Sequence, residues 1–421
     1  MKVLGIVAEY NPFHNGHLYH VQTARALTGA ECIVAVMSGN FTQRGEPAIV
    51  DKWARTEMAL FNGVDLVIEL PCVYAMSSAE FFAFGAVRLL DSLGAVDTMC
   101  FGSEAGSLEE LDQIASILSD EPADYKAALK SALSDGKSFP AARQEALSAY
   151  LKIRHGQDIL SGLLENPNNI LGIEYLKALR RLNSRIIPVT VKRFGNEYHS
   201  SELTGEISSA TSIRRTIAQN NWSEAEKQLK SALPHHSLAI LNREFSLGKG
   251  PVFSESFSLL LLSLLRSMSV DEIRTLPDME DGLENRFKLA AETAGSYEEL
   301  LKSICTKRYT STRIQRSLFC LITGLRANSF NSFHQDSGPS YIRILGFNQT
   351  GRQLLASIKD STTLPVITKS ADFKNSDIPN VTSMLGLEAA ATDQYVLGFG
   401  NPACRKSGSE FTHNVIYQTS E

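Results

Sequence analysis

The sequence predicts an α/β protein: an N-terminal domain built on a parallel sheet with helices on both faces, a helical insertion within it, and a mainly helical α+β C-terminal region. Three observations carry this expectation. Over the first 105 residues short apolar runs alternate with helical segments, the spacing of right-handed strand–helix–strand crossovers. Residues 108–163 change to charged, helix-periodic text broken at Gly136 and Pro140, and the alternation returns at Asn166. Residues 250–335 read as helical with regular leucine spacing, and 340–400 hold two further strand candidates, Tyr341–Leu345 and Leu364–Thr368.

In chain order, Val3–Ala8 is a short apolar strand, Glu9–Phe13 a tight turn, and His14-Asn15-Gly16-His17 opens a helix that continues through the amphipathic run Leu18–Leu27. Ile33–Met37 is a β-rich run, Asp51–Phe61 has helical spacing, and Asp65–Leu70 reads as a buried strand ended by Pro71. Ser77–Leu93 is a helix rich in Phe and Ala, ended by Gly94, and Thr98–Phe101 is a strand closed by Gly102-Ser103-Glu104. Asn166-Pro167 starts a helix running to about Arg181, a strand follows at Arg185–Val191, and a helix begins near Ser209-Ala210-Thr211. Pro234-His235-His236 marks a boundary, which divides the chain into 1–232, with the insertion at about 107–164, and 233–421.

The bulk properties exclude several classes. A composition of 43% hydrophobic and 21% charged residues is that of a globular protein. With a net charge of −5 there is no global positive field, so a nucleic-acid partner must be met by a local basic patch. Six cysteines without a Cys-x-x-Cys pair exclude a clear zinc ribbon or redox motif and suit a reducing cytoplasm. No carboxylate cluster suggests a metal site. The N-terminus reads as a core strand rather than a signal peptide, and the apolar run Phe257–Leu265 is too short to span a bilayer. A cytoplasmic protein without a membrane partner is expected, and no protein partner is evident.

The chemistry begins at His14. A helix start presents unpaired N–H groups and the positive end of the helix dipole, a ready anion site. His14 and His17, at i and i+3, fall on one face of the first turn, and Gly16 lets a phosphate approach the backbone. The pattern suggests a nucleotide phosphate held at a strand–helix junction, with the two imidazoles stabilising charge at the reacting phosphorus. Ser209-Ala210-Thr211-Ser212-Ile213-Arg214-Arg215 reads as an ordinary N-cap or as a second phosphate clamp carried by Thr211 and Arg214. The loop Gly39–Ala48, with Gln43 and Arg44, is a surface loop by default, but its place after the second strand puts it over the crevice of an open α/β sheet; Arg55 on the next helix is expected to face the same crevice. Lys307, Arg308, Arg313 and Arg316 put four cations and no acid in ten residues beside Tyr309, either a solvated face or a contact to a phosphate backbone, which Lys177, Arg180, Arg181, Arg185, Lys192, Arg214 and Arg215 could extend.

His-x-Gly-His after the first strand, paired with the Ser209–Arg215 block, resembles the HIGH-motif nucleotidyltransferase superfamily, a Rossmann-like fold whose members cleave ATP between the α- and β-phosphates. Thr211, Ile213 and Arg214 match the superfamily's second motif, whereas Ser208 and Ala210 depart from it. Glu9–His14, Ser38–Ala48, Gly63–Pro71, Phe101–Glu104, Asn166–Leu171, Lys192-Arg193 and Lys307–Arg316 are similar to the bacterial tRNA(Met) cytidine acetate ligase family over at least 300 residues. That resemblance implies an enzyme that activates acetate with ATP to acetyl-adenylate and pyrophosphate. It then acetylates the exocyclic amine of the wobble cytidine of elongator tRNA(Met) to 4-acetylcytidine. It also implies catalytic His14 and His17, and an ATP site over Val7, Ala8, Glu9, Tyr10, Asn11, Pro12, Phe13, His14, Asn15, Gly16, His17, Leu18, Tyr19 and His20, with Gly102, Asn168, Asn169, Arg193, Thr211 and Arg214. Mg²⁺ is expected to arrive with ATP. Gln43, Arg44, Arg55 and the basic stripe are the expected acetate or tRNA contacts. Two other readings of the residues stay open: an adenylyltransferase acting on a phosphorylated small molecule, and a nucleotide-sensing RNA-binding protein without catalysis.

Overall fold

Side chains alternate across a strand, and along β1 (Val3–Ala8) that alternation assigns the two faces of the sheet. Val3 enters one hydrophobic core and Leu4 and Ile6 the other. The computed structural model describes residues 1–137, 139–155, 163–193, 207–280, 282–306, 308–335, 338–359, 361–378 and 380–419. β1 feeds α1 (Asn15–Thr28), β2 (Cys32–Ser38) feeds α2 (Lys52–Phe61), and β3 (Leu66–Leu70) leads through the single turn α3 (Cys72–Ala75) into α4 (Ala79–Ser92). β4 (Thr98–Ser103) is followed by α5 (Leu108–Asp120), α6 (Ala123–Ser134) and α7 (Phe139–His155), and α8 (Pro167–Arg181) returns the chain to β5 (Ile187–Lys192). Then come α9 (Ala210–Gln219), α10 (Trp222–Leu229), α11 (His235–Ser246), α12 (Ser258–Ser267), α13 (Val270–Arg274), α14 (Leu283–Thr293), α15 (Tyr297–Ile304), α16 (Ser311–Thr323) and α17 (Ala327–Gln335). β6 (Ile342–Phe347), α18 (Gln349–Ser357), β7 (Val366–Ile367), α19 (Val381–Tyr395), α20 (Ser409–Thr412) and β8 (Ile416–Tyr417) complete the chain.

Among the described residues the strands form one sheet in the order β5-β4-β1-β2-β3-β6-β7, with β8 beside β6. The first five are parallel. The chain leaves β1 towards β2 on one side and comes back to β4 on the other, so the β1/β4 border is the topological switch point. The parallel sheet expected of the N-terminal half is thus present, and the C-terminal half adds to it: β6 runs antiparallel to β3, pairing Leu66 with Phe347, and β7 and β8 extend the sheet beyond it. Among the described residues of 108–163 the helical reading holds, while 138 and 156–162 lie outside them; α5 buries Leu111, Ile114 and Ala115 in the core with α8, as a covering helix would. Pro140 sits at the second position of α7 rather than breaking it, where a missing N–H costs nothing.

At the junction of the two halves, charge is buried. Lys52 Nζ donates to Glu69 at 2.6 Å and to Glu410 at 2.5 Å, with all three side chains at most 1% exposed. Arg343 of β6 lies 3.6 Å from Glu410, and Glu388 of α19 accepts from the Cys72 main-chain N–H. Burial alone would lower the Lys52 ammonium, but Glu410, Glu69 and Glu388 reverse this and raise it. Tyr395 Oη donates to the Ala48 carbonyl at 2.7 Å and Asn40 Nδ2 to Thr392 at 3.2 Å, so α19 is fastened to the loop after β2.

Candidate active site

A cleft of about 770 Å³ opens over the carboxyl ends of β1, β4 and β5, at the switch point. Its floor is Ile6–Asn11; α1 contributes Gly16, His17, Tyr19 and His20 beside His14, and the loop after β2 contributes Thr42, Gln43, Arg44 and Glu46. The start of α8 brings Asn168, the end of β5 Lys192 and Arg193, and the start of α9 Ser209, Thr211 and Arg214.

The two histidines build the helix start as well as face the cleft. His14, extended at φ −132°, is the N-cap of α1. Its Nδ1 accepts from the Gly16 N–H at 3.0 Å, and His17 Nδ1 accepts from the His14 N–H at 3.3 Å, a reciprocal capping box made of imidazoles. The rings stack at 3.8 Å between centroids. An Nδ1 that accepts leaves the proton of a neutral ring on Nε2, so each ring keeps Nε2–H as its free donor. Neutrality is enforced: burial, with the nearby Arg193 and Arg214 charges, lowers His14 to about 3. Burial, then His14 and Arg193, pushes His17 well below its ordinary value, and burial with Arg193 lowers His20 to about 4. The chain reaches this cap through Tyr10, held in the left-handed region at φ 47°.

Cations stand opposite. Arg193 Nη1 donates to Asn168 Oδ1 at 3.2 Å, and its stem packs over Gly102, where a side chain would crowd it. Arg214 Nη1 donates to the Asn11 carbonyl at 2.9 Å and lies 3.8 Å from Glu46, whose Oε1 accepts from Gln315 Nε2 at 3.0 Å. Thr211 is exposed at the rim. Glu104 holds the start of α8 by accepting from Asn168 Nδ2 at 2.6 Å and the Asn169 N–H at 2.9 Å; in return, Asn169 Oδ1 accepts from the Glu104 and Ala105 N–H groups, both at 3.0 Å. Two imidazole donors, two guanidinium groups and a helix N-terminus converge on one space, an arrangement that can hold a polyphosphate and neutralise charge as it is cleaved.

Several expected contacts take other roles. Val7, Ala8, Glu9, Tyr10, Asn11, His14, Gly16, His17, Tyr19, His20, Gly102, Asn168, Arg193, Thr211 and Arg214 line the cleft, as do Gln43 and Arg44. Pro12, Phe13, Asn15, Leu18 and Asn169 do not: Phe13 is core, Leu18 packs against the core, Asn15 Nδ2 donates to the Ser231 carbonyl, and Asn169 braces the β4–α8 junction. Arg55 does not face the crevice. It is fully buried and donates to the carbonyls of Val50, Glu9, Ser38 and Gly39, tying the ends of β1 and β2 together. The Gly39–Ala48 loop is largely buried, and a methyl group on Gly45 would collide with the backbone of Gln315 and Arg316 in α16. The basic stripe is acid-free only in sequence. Arg313 lies 3.2 Å from Glu280 and donates to the Asp278 carbonyl, and Arg316 is 4.0 Å from Asp278, with its side chain 13% exposed. Arg308 is exposed, and Lys307 lies outside the described residues. Sequence reasoning gave no role to Glu46, Glu104, Phe82, Leu171 or Tyr175, all of which line the cleft; Glu46, Glu104 and Leu171 stood inside quoted blocks, but Phe82 and Tyr175 lie on helices with no local signature.

The family model described as HIGH Nucleotidyl Transferase matches residues 1–410. The tRNA(Met) cytidine acetate ligase of Acetivibrio thermocellus is 52% identical over 416 residues, covering 99% of this chain and 100% of the relative. That of Caldanaerobacter subterraneus is 48% identical with the same coverage. The chain belongs to the tRNA(Met) cytidine acetate ligase family. The crystal structure of Thermotoga maritima TmcAL in its apo form has a TM-score of 0.95 to this chain, at 38% identity and with 100% of both chains covered. TmcAL bound with alpha-thio ATP has a TM-score of 0.93 at the same identity and coverage. The fold of the cytidine acetate ligases, with its HIGH nucleotidyltransferase motif at a Rossmann-like switch point, is thus the fold of this chain.

Proposed function

We infer that this protein is an ATP-dependent ligase that joins acetate to the exocyclic amine of the tRNA(Met) wobble cytidine. The observation that carries the reading is the pair of neutral, tautomer-fixed imidazoles at the N-terminus of α1, facing Arg193 and Arg214 across the switch-point cleft. Full-length relatives named tRNA(Met) cytidine acetate ligase and a solved neighbour bound with alpha-thio ATP support the same reading.

In the first half-reaction the acetate oxygen attacks the α-phosphorus and pyrophosphate leaves. Acetate is already ionised, so the step needs alignment and charge neutralisation rather than a base. His14 and His17 donate Nε2–H to phosphate oxygens, the α1 N–H groups add their dipole, and Arg193 and Arg214 hold the opposite side of the triphosphate. We propose that Mg²⁺ enters with the nucleotide and is liganded by phosphate and water oxygens. Among the described residues no three His, Cys, Asp or Glu side chains converge to hold it. In the second half-reaction the cytidine amine displaces AMP from acetyl-adenylate, inside a cleft that limits hydrolysis. We further propose a division of labour in which 1–232 carries the ATP chemistry and 233–421 contributes to tRNA binding. In this reading the exposed Arg185, Lys192, Arg215 and Arg308 meet phosphates of the RNA, which their exposure supports. Among the described residues no helix is long and apolar enough to cross a membrane.

Incubation with ATP, labelled acetate and bulk tRNA, followed by nucleoside analysis, tests the reading. Label is expected in 4-acetylcytidine from tRNA(Met); label in no nucleoside, or pyrophosphate release that ignores acetate, would sink it.

A further inference from the structure

The cleft has a polar part and an apolar part, and only the first suits a triphosphate. The imidazoles of α1, with Arg193 and Arg214 facing them, make the polar part; Phe82 of α4 and Leu171 and Tyr175 of α8 make the apolar part. Between them lies the Glu9 carboxyl. Val3 and Val7 of β1 contact the core on the α4 face, and Glu9 continues that odd-numbered series just past the strand end. Its carboxyl lies close enough to Tyr175 to act on the phenol electrostatically. Oε1 accepts from the Gln43 N–H at 2.6 Å, Gln43 Nε2 donates to the Ser77 carbonyl at 3.0 Å just ahead of α4, and Arg55 Nη1 donates to the Glu9 main-chain oxygen at 2.7 Å. The carboxyl is therefore pinned at one oxygen, while Oε2 accepts no hydrogen bond from a described residue.

The other carboxylates lining the cleft are committed. Glu46 accepts from Gln315 and faces Arg214, Glu104 accepts from Asn168 and Asn169, and Glu165 is exposed and accepts from Gln144. The imidazoles of His14 and His17 have their Nδ1 lone pairs occupied and cannot take a proton there. His20 lies a turn along α1, its Nε2 3.6 Å from Cys100 Sγ, and burial keeps the Tyr10 phenol protonated.

The transfer step needs a base. The lone pair of the cytosine amine is delocalised into the ring, so the nitrogen is weakly nucleophilic and must lose a proton as it bonds to carbon. We propose that Glu9 is the general base of acetyl transfer, a role that rests on the ligase reading above. The amine nitrogen attacks the acetyl carbonyl carbon and its proton passes to Glu9 Oε2. The bond from that carbon to the phosphate oxygen breaks, and AMP leaves with the electron pair. The flat, uncharged base lies against Phe82, Leu171 and Tyr175, where burial of a planar ring is favourable and a polyphosphate is not. Burial raises the Glu9 carboxyl above the ordinary carboxylate range, opposed by the Gln43 N–H and the charges of Arg214, Arg44 and Arg55, which places it nearer the working pH as a base requires.

The test is Glu9→Gln, whose amide oxygen can still accept from the Gln43 N–H. Two rates are compared with those of the unsubstituted protein: acetate-dependent ATP–pyrophosphate exchange, and single-turnover transfer of acetyl from preformed enzyme-bound acetyl-adenylate to tRNA. Transfer should fall ~100-fold or more beyond any fall in exchange. The rise of transfer rate with pH through one ionisation should vanish in Glu9→Gln and persist, at a lower rate, in Glu9→Asp. A parallel fall of both half-reactions, or a pH limb that survives in Glu9→Gln, overturns the proposal while leaving the ligase reading intact. Absence of acetate-dependent exchange in the unsubstituted protein overturns both.

Discussion

The His14 ring caps a helix with one nitrogen and faces the cleft with the other, so its two roles can be separated by substitution. His14→Ala removes the cap and the donor together: it should cost about 1 kcal/mol in thermal or urea unfolding and lower pyrophosphate exchange ~100-fold or more. His14→Asn restores an acceptor for the Gly16 N–H, so stability should recover while exchange does not. A recovery of exchange in His14→Asn would show that the cap, not the Nε2–H, matters. The pH dependence has a definite sign. The folded value of about 3 lies below the ordinary 6.5, so the stability linked to His14 is fully present above 6.5 and is lost as pH falls towards 3. Urea unfolding of the ligand-free protein across that range should show the fall, shallower in His14→Asn. The i, i+3 spacing of His14 and His17 was legible in the sequence. The reciprocal cap was not, because it depends on the left-handed Tyr10 and on the stacking of the rings.

At the scale of elements, the cleft depends on how α8 is fastened to β4. Glu104 and Asn169 take part in five hydrogen bonds with backbone and side-chain groups across that junction without Asn169 touching the cleft. Asn169→Ala leaves the Glu104 and Ala105 N–H groups without an acceptor, a cost of about 1–3 kcal/mol, and lets Asn168 and its partner Arg193 drift. We expect a lower melting temperature and a raised KM for ATP with kcat changed less; a normal KM in the destabilised variant would detach the junction from nucleotide binding. The helix start at Asn166-Pro167 could be read directly, since Pro favours the first helical position. Which of Asn168 and Asn169 faces the cleft could not, because adjacent residues at a helix start differ only in where the neighbouring strand lies. The same limit misassigned Arg55: its helix was evident, but only the fold shows the bundle of carbonyls at the ends of β1 and β2 that claims its guanidinium.

For the whole molecule, the sheet and the buried charges cross the boundary read from the sequence. β6 covers the edge of β3, and Glu410 completes the partners of Lys52. The fragment 1–232 should therefore fail to give a monomeric, cooperatively unfolding protein, since it exposes a long apolar strand edge and strips Lys52 of one carboxylate; a well-behaved fragment with a sharp melting transition would contradict this. Lys52→Met leaves Glu69 without its ion-pair partner and Glu410 with Arg343 alone, and should cost about 3–5 kcal/mol, read by urea unfolding of the full chain. The parallel half was legible because strand and helix periods alternate there in clear runs. Membership of β6 in the same sheet was not, since pairing between residues some 280 positions apart leaves no mark in local periodicity.

Gly45 gives the last consequence. Its positive φ of 70° and its contact with the Gln315–Arg316 backbone leave no room for even one added carbon. In terms of heritable variation, the stretch carrying Gln43 and Arg44 cannot be retuned alone, because each change in its path must be matched by a change in α16. Substrate preference at the cleft and the shape of the distal helical half are then inherited together, and chimaeras that exchange one half between distant relatives should lose activity unless this seam is exchanged as a unit.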